Sequence, residues 1–543
     1  MPKVFSAIAA ATILLLAAAC APAQHDVAAS GRNAWTHPGR LVIGTAGEEP
    51  DSLNLLFAHS DATDQIANLI DEPLFRYDPD GNLVPAAVSE VPTLENGGIA
   101  RDGKTITLHF RRGMRWSDGA PFDARDFAFT WHAVMNDRNN TKLRVGWDII
   151  TTIDLPNPYT AVVHLKQIYS GILGIWAFGG AAFPPLPAHL LEKLPDINRA
   201  PFNTNPISSG PFVLTRWNHG SSLVFAPNPY YWRGKPGLKQ IVYKIVPNAD
   251  TLFNELQTHE VDVYESVPEI QIPRLSGLSG YAVTKQLSAN YRRLEFNTAQ
   301  PQLADVRVRR AVAQAVDWDG INRTIYHGYN VRAVSDVLPT SWAAPTGITN
   351  YPYDLTAAKK LLDAAGWIAG PSGARAKNGV PLTFSVSTTP SKPANVQAEV
   401  QMQQELKAIG VELEIKNYPP NVLFAQNGPI YTGKFDSEFT IYTNAPDPDN
   451  EGLWSGKFIP PHGANTTWLN DPVLTRTSHE ALLTYDHAKR KALYQQEAER
   501  VHELVPVVYL YWQTSYSAVN SDLRNWKPAS YISNYWNCWE WRI

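Results

Sequence analysis

The feature that most limits what this chain can fold into is a rhythm in its second half. Pro381 to Ser387 has the pattern of a strand, Asn395 to Ile409 that of a helix closed by Gly410, and Val411 to Ile415 that of the next strand. Strand, helix and strand in that order bury one another as layers, which argues for an α/β domain. With 543 residues the chain is too long for one core, so two or three domains are expected.

Further elements can be placed around that rhythm. Arg40 to Thr45 has the pattern of a first core strand. From Ile106 to Trp131 a strand alternates Ile106, Leu108 and Phe110 with polar residues, and two glycine turns follow at Arg112-Gly113 and Ser117-Asp118-Gly119. A helix then starts at Asp123, an N-cap with Asp126 three residues on, and carries Phe127, Trp131 and Val134 on one face. Tyr159 to Leu165 and Tyr291 to Asn297 are alternating strands. Asp305 caps a helix with Val308, Val312 and Val316 inward, which leaves Arg307, Arg309 and Arg310 as a solvated basic face. Asp354 caps another, ended by Gly366. Asp486 caps a final long helix, halted by Pro506 before the strand Val507 to Trp512. The aromatic tail, Tyr531 to Trp541, is expected to return to the first domain.

The first residues form an address. Lys3 precedes an apolar run, Val4 to Ala19, that is too short to span a bilayer with confidence and marks an export signal. Cys20, after three alanines, suits a lipidated lipoprotein signal; an ordinary cut after Ala23 is the competing reading. Either leaves Cys538 as a lone thiol, with no disulfide framework. Gln24 to Pro38 has the composition of a tether.

A net charge of −4 and a pI near 6.4 give no basic footprint, so nucleic acid is not an expected partner. The 17 tryptophans and 23 tyrosines suit large cores and an aromatic cleft equally. Gly98 to Thr105 has phosphate-loop spacing, but a strand rather than a helix follows, so a hairpin turn is the better reading. No nucleophile elbow, zinc helix or paired-cysteine site is present, and the 14 histidines are scattered. No cofactor and no metal are expected. Carboxylates are abundant enough for a glycosidase pair, yet no spacing singles one out. The strongest binding candidate is Asp447-Pro448-Asp449-Asn450, where two prolines hold a carboxylate on a loop after a strand. An Asx-Pro turn without function is the alternative there.

Several of these stretches resemble the family 5 extracellular solute-binding proteins. They are the arginine–aliphatic–aromatic–Ser-Asp-Gly segment, the Pro-Asp-Ser-Leu-Asn loop at 50–54, the glycine-proline-aromatic turn at 210–212 and the Asp-Val-Arg-Val-Arg-Arg-Ala-Val helix. The resemblance runs from Leu41 to about Trp512. It implies a two-lobed periplasmic-binding-protein-like α/β fold with an extra small domain and a ligand cleft between lobes. The expected division is a signal at 1–23, a tether at 24–39, domain I at 40–80 and 205–298, small domain II at 81–204, domain III at 299–517 and a return at 518–543. The implied role is that of a monomeric, non-enzymatic receptor in the periplasm or on the outer face of the membrane. It would bind peptides and deliver them to an ABC permease. Oligosaccharides, opines, nickel or haem complexes are the alternatives within the family, and a secreted hydrolase is the rival outside it. The resemblance gives Asp447 the ligand's terminal ammonium, although Glu451 stands where an aromatic residue is common. Tyr291, Asn444 and Trp454 are further expected ligand contacts, by their position near these segments.

Overall fold

Two long antiparallel strands, Tyr281–Phe296 and Val507–Asn520, set the architecture. They pair from Tyr281 opposite Asn520 to Glu295 opposite Val507, and the register slips between Leu287 and Tyr291. The slip divides the pair in two, because an irregular register locally breaks the ladder and increases twist. One half continues through Ser437–Thr443, Thr383–Ser387 and Glu412–Ile415. The other continues through Val263–Tyr264, Arg40–Thr45, Gln240–Ile245, Ser222–Pro227 and Phe212–Asn218. The computed structural model describes residues 31–178, 183–390, 393–531 and 533–543; the export signal, Cys20 and the start of the tether lie outside the described residues.

The strand–helix–strand rhythm is present as expected. Thr383–Ser387 and Glu412–Ile415 pair in parallel, and helix Pro393–Lys407 connects them. Phe384 and Val386 pack with Ala398, Met402 and Leu406 in one core, which also takes Leu294 and Phe296 from the crossing strand. In the other lobe Arg40–Thr45 runs parallel to Gln240–Ile245. Its core joins Leu41 and Ile43 to Tyr535, Cys538 and Trp541, so the aromatic tail does return to the first strand. Burial pushes the Cys538 thiol up to about 12, which keeps it protonated and unreactive.

A third core gathers Trp116, Phe127, Val134, Trp147 and Trp176 with Leu55, Phe75 and Tyr77, joining segments on both sides of residue 80. Asp123 and Asp126 form a reciprocal capping box at the start of helix Ala124–Met135. Asp126 also accepts hydrogen bonds from Trp116 Nε1 at 3.0 Å and from the Ala188 amide at 2.9 Å. Burial pushes its carboxyl up to about 6, against those bonds. Trp116, just before the Ser-Asp-Gly turn, and the Asp126 carboxylate are therefore a packing hub, while the turn itself lies at the surface. Gly103, at φ +68°, leads directly into strand Thr105–His109, and Ile99 bridges Ile106. No helix N-terminus follows it, so the phosphate-loop spacing has no phosphate-binding geometry.

One expectation fails. Arg309 belongs to no solvated face: it is 2% exposed. Its guanidinium donates to Val505 O at 2.9 Å, Leu303 O at 2.6 Å and Ala304 O at 2.9 Å, and also to Leu504 O. Helix His487–Leu504 ends in a left-handed Val505 at φ 49°, unfavourable for a β-branched residue, and the carbonyls released there need donors. A buried cation at a helix C-terminus supplies them. Arg309→Ala is expected to cost about 2–3 kcal/mol in urea unfolding, whereas exposed Arg307→Ala should leave the unfolding midpoint almost unchanged. Equal, small losses would return Arg309 to the surface.

Candidate functional site

The register slip opens a cleft of about 700 Å³ between the lobes, within the size range of small-molecule sites. Side chains alternate along a strand, so every second residue shares a face. Gln286, Ser288 and Asn290 line the cleft from one crossing strand, and Gln513 and Ser515 from the other. Thr443 joins them from the neighbouring strand. The opposite wall is supplied by Asp61, Asp64, Gln65 and Asn68 of helix Asp61–Ile70, together with Glu265 and the tail residues Tyr531 and Asn534.

Amides hold the wall in place. Asn534 Nδ2 donates to Glu265 Oε1 at 2.7 Å, while its own oxygen accepts from Gln286 Nε2 at 3.3 Å and from the Ala529 amide at 3.1 Å. Tyr243 donates to Gln65 Oε1 at 2.8 Å. Burial raises the carboxyl of Glu265 above the usual range, against the hydrogen bonds it accepts. Asp64 is raised too, by burial first and then by the charges of Asp61 and Asp51, with Lys142 opposing.

Other contacts between segments lie away from the cleft. Tyr169 Oη donates to Asp449 Oδ2 at 2.5 Å, and the Ser170 amide to Leu482 O at 2.8 Å. Tyr485 Oη donates to Gly103 O at 3.3 Å. All three join the 81–204 segment to the 299–517 segment.

None of the four side chains expected to touch ligand is among those lining the cleft. The Asp447 carboxylate is held by Arg490, Oδ1 at 2.8 Å from Nη2 and Oδ2 at 3.1 Å from Nη1. Tyr291 is 1% exposed and packs against Trp512 at 5.0 Å between ring centroids. Trp454, also 1% exposed, donates to Asp336 Oδ2 at 3.1 Å. Asn444 Nδ2 donates to the Asp336 carbonyl at 2.5 Å, shaping the loop. The Asp-Pro-Asp-Asn loop thus reaches the cleft only through its scaffold. What the sequence reading missed is the polar alternation at 286, 288 and 290 and at 513 and 515. That is the pattern of a strand whose one face is wet, but in the middle of a sheet.

Comparison with known proteins agrees with this architecture. Residues 85–458 match the bacterial extracellular solute-binding proteins, family 5 Middle. The oligopeptide-binding protein AppA of Bacillus subtilis is 24% identical over 499 residues, 90% of this chain and 89% of that protein. The nickel-binding periplasmic protein of Escherichia coli is 26% identical over 473 residues, 84% and 85% of the two chains. Among solved structures, the ABC transporter substrate binding protein CtaP of Listeria monocytogenes superposes with a TM-score of 0.80. It is 21% identical, and the match covers 94% of this chain and all of that one, a likeness of fold. A match through more than half of the chain, on a two-lobed α/β frame with a cleft at the crossing strands, places the protein: it belongs to family 5 of the bacterial extracellular solute-binding proteins.

Proposed function

We propose that this protein is the receptor of an ABC importer, binding peptides in the inter-lobe cleft and handing them to a membrane permease. The observation that carries the reading is the character of the cleft, walled by strand segments and lined by amides, hydroxyls and carboxylates. Such groups can satisfy a peptide backbone whatever its side chains, in the manner of an added strand. Relatives named for oligopeptide binding and for ABC transport support it. The relative named for nickel binding supports a second reading, a metal complex. Nickel favours imidazole nitrogen, and the lining offers mainly oxygen, so the peptide reading is preferred. Two lobes joined by paired strands suit closure by hinge motion. Its proposed place is the periplasm or the outer face of the membrane, with a lipid on Cys20 as one means of attachment. No helix of the described residues is long and apolar enough to cross a membrane.

Native mass spectrometry of protein purified from its host is the direct test. Adducts with peptide masses are expected; a nickel or sugar adduct would replace the peptide reading. Incubation with a peptide library should leave the peptides uncleaved, and turnover would return the hydrolase. Ser288→Trp, placed on the cleft face, should reduce peptide affinity by about 100-fold or more by filling the space, with the melting temperature little changed.

A further inference from the structure

Among the described residues, those lining the cleft include three carboxylates, Asp61, Asp64 and Glu265, and no lysine, arginine or histidine. Lys142, the cation whose field reaches Asp64, is not part of the lining. The three acids form one group: Asp61 acts on Asp64, and both Asp61 and Glu265 act on the Tyr243 hydroxyl. Glu265 accepts its hydrogen bonds from neutral groups, the Asn534 amide and the Tyr535 hydroxyl, so its charge is oriented without being cancelled. A second observation is independent of charge. In the same wall Gln286 Oε1 has no hydrogen-bond partner. An orphaned amide oxygen can only accept. Unsatisfied buried groups in a folded protein call for an explanation, and a ligand that donates is one.

We infer that the solute this cleft takes is cationic: a basic peptide whose ammonium or guanidinium groups lie against the wall of Asp61, Asp64 and Glu265. The inference rests on the cleft being the solute site and goes further by naming the charge of the solute and the wall that reads it. Like charges on one wall repel one another until a cation arrives, so binding is coupled to the relief of that repulsion. The wall also takes over the ammonium role that resemblance gave to Asp447, whose carboxylate Arg490 already holds. An acidic solute would add its charge to three acids that no cation of the lining faces.

The test titrates the full chain, freed of retained ligand, with trilysine, trialanine and triglutamate by calorimetry, at low and at moderate salt. Wild type should bind trilysine roughly 100-fold more tightly than triglutamate, with the preference shrinking as salt screens it. The paired isosteric variant Asp64→Asn with Glu265→Gln should lose about tenfold or more in trilysine affinity and a clearly smaller factor in trialanine affinity, because trialanine carries only its terminal ammonium. Melting curves confirm that it folds. Equal affinities for the three peptides in wild type, or an equal loss for trilysine and trialanine in the variant, overturn the inference and leave the cleft as the site. Ser288→Trp separates the two failures: if it binds trilysine as wild type does, the cleft reading itself falls, and this inference falls with it.

Discussion

Asp447→Asn is expected to destabilise the protein by about 3–5 kcal/mol, the usual cost of leaving a buried charge without its partner. Arg490 is 2% exposed and lies under the Asp-Pro-Asp-Asn loop. Besides Asp447 it donates to the Ala481 carbonyl at 3.1 Å, the Pro448 carbonyl at 3.3 Å and the Tyr494 hydroxyl at 3.0 Å. Those neutral acceptors orient the guanidinium, but only the Asp447 carboxylate opposes its charge at contact distance. Asparagine keeps the shape and removes the charge. Arg490→Met alone should cost a similar amount by stranding Asp447, and the double variant should recover much of the loss, because the desolvation penalty of both ions goes with them. Urea unfolding of the four proteins gives the coupling energy; simple additivity would mean the pair is not the anchor it looks. The same variant also tests the role resemblance gave to Asp447. If the carboxylate is structural, Asp447→Asn changes the affinity for a free peptide and its N-acetylated form by the same factor. A selective loss for the free peptide would restore Asp447 as the ammonium ligand. Because the loop also carries Asp449, which takes the Tyr169 hydroxyl, the variant should loosen the join between the 81–204 and 299–517 segments as well.

The contrast between Asp447 and the cleft shows what the sequence could and could not reveal. Elements held by local rules were legible. The capping box at Asp123, the stop at Gly410 and the strand–helix–strand unit around Pro393–Lys407 depend on neighbours within a few residues. The crossing strands were half seen. Tyr291–Phe296 and Val507–Trp512 alternate apolar residues against a core, so their period is visible. Their other halves, Tyr281–Asn290 and Gln513–Asn520, carry polar residues, because one face of each meets the cleft. A strand that is wet on one face in the middle of a large sheet has the composition of a loop, and the cleft wall was hidden for that reason. Arg309 was misjudged for the converse reason. Two of its acceptors, Leu504 O and Val505 O, belong to a helix end nearly two hundred residues away, and a charge on an amphipathic helix gives no local sign of a distant partner. Asp447 combines both problems, since its loop geometry is local while Arg490, which engages it, comes from the final long helix, His487–Leu504.

Glu438→Gln is expected to stabilise the protein at alkaline pH by an amount on the order of 3 kcal/mol, with little effect near pH 5. Glu438 and Glu295 stand opposite each other on paired strands, both fully buried, and share one cation, Arg293. Arg293 pairs directly with Glu295 and lies 3.5 Å from the centroid of the Tyr442 ring. Two carboxylates and one guanidinium in a dry interior cannot all be charged at low cost, so one carboxyl keeps its proton. Burial, then the charge of Glu295, pushes Glu438 up to about 8, with Arg293 opposing. The sign follows from linkage. A carboxyl raised above its unfolded value near 4.3 binds a proton in the folded state that the unfolded chain has released. Its contribution is fully present below the unfolded value and is lost as pH rises through about 8. Glutamine resembles the protonated acid and cannot ionise, so that loss disappears. Other buried carboxyls, Asp71 at about 8 and Glu399 at about 7, will still tilt the curve of the variant, and the informative quantity is its difference from wild type. That difference should be near zero at pH 5 and grow steadily to pH 8.5 in urea unfolding. Parallel curves would mean that Glu438 ionises in the folded state without penalty and that Arg293 serves both carboxylates.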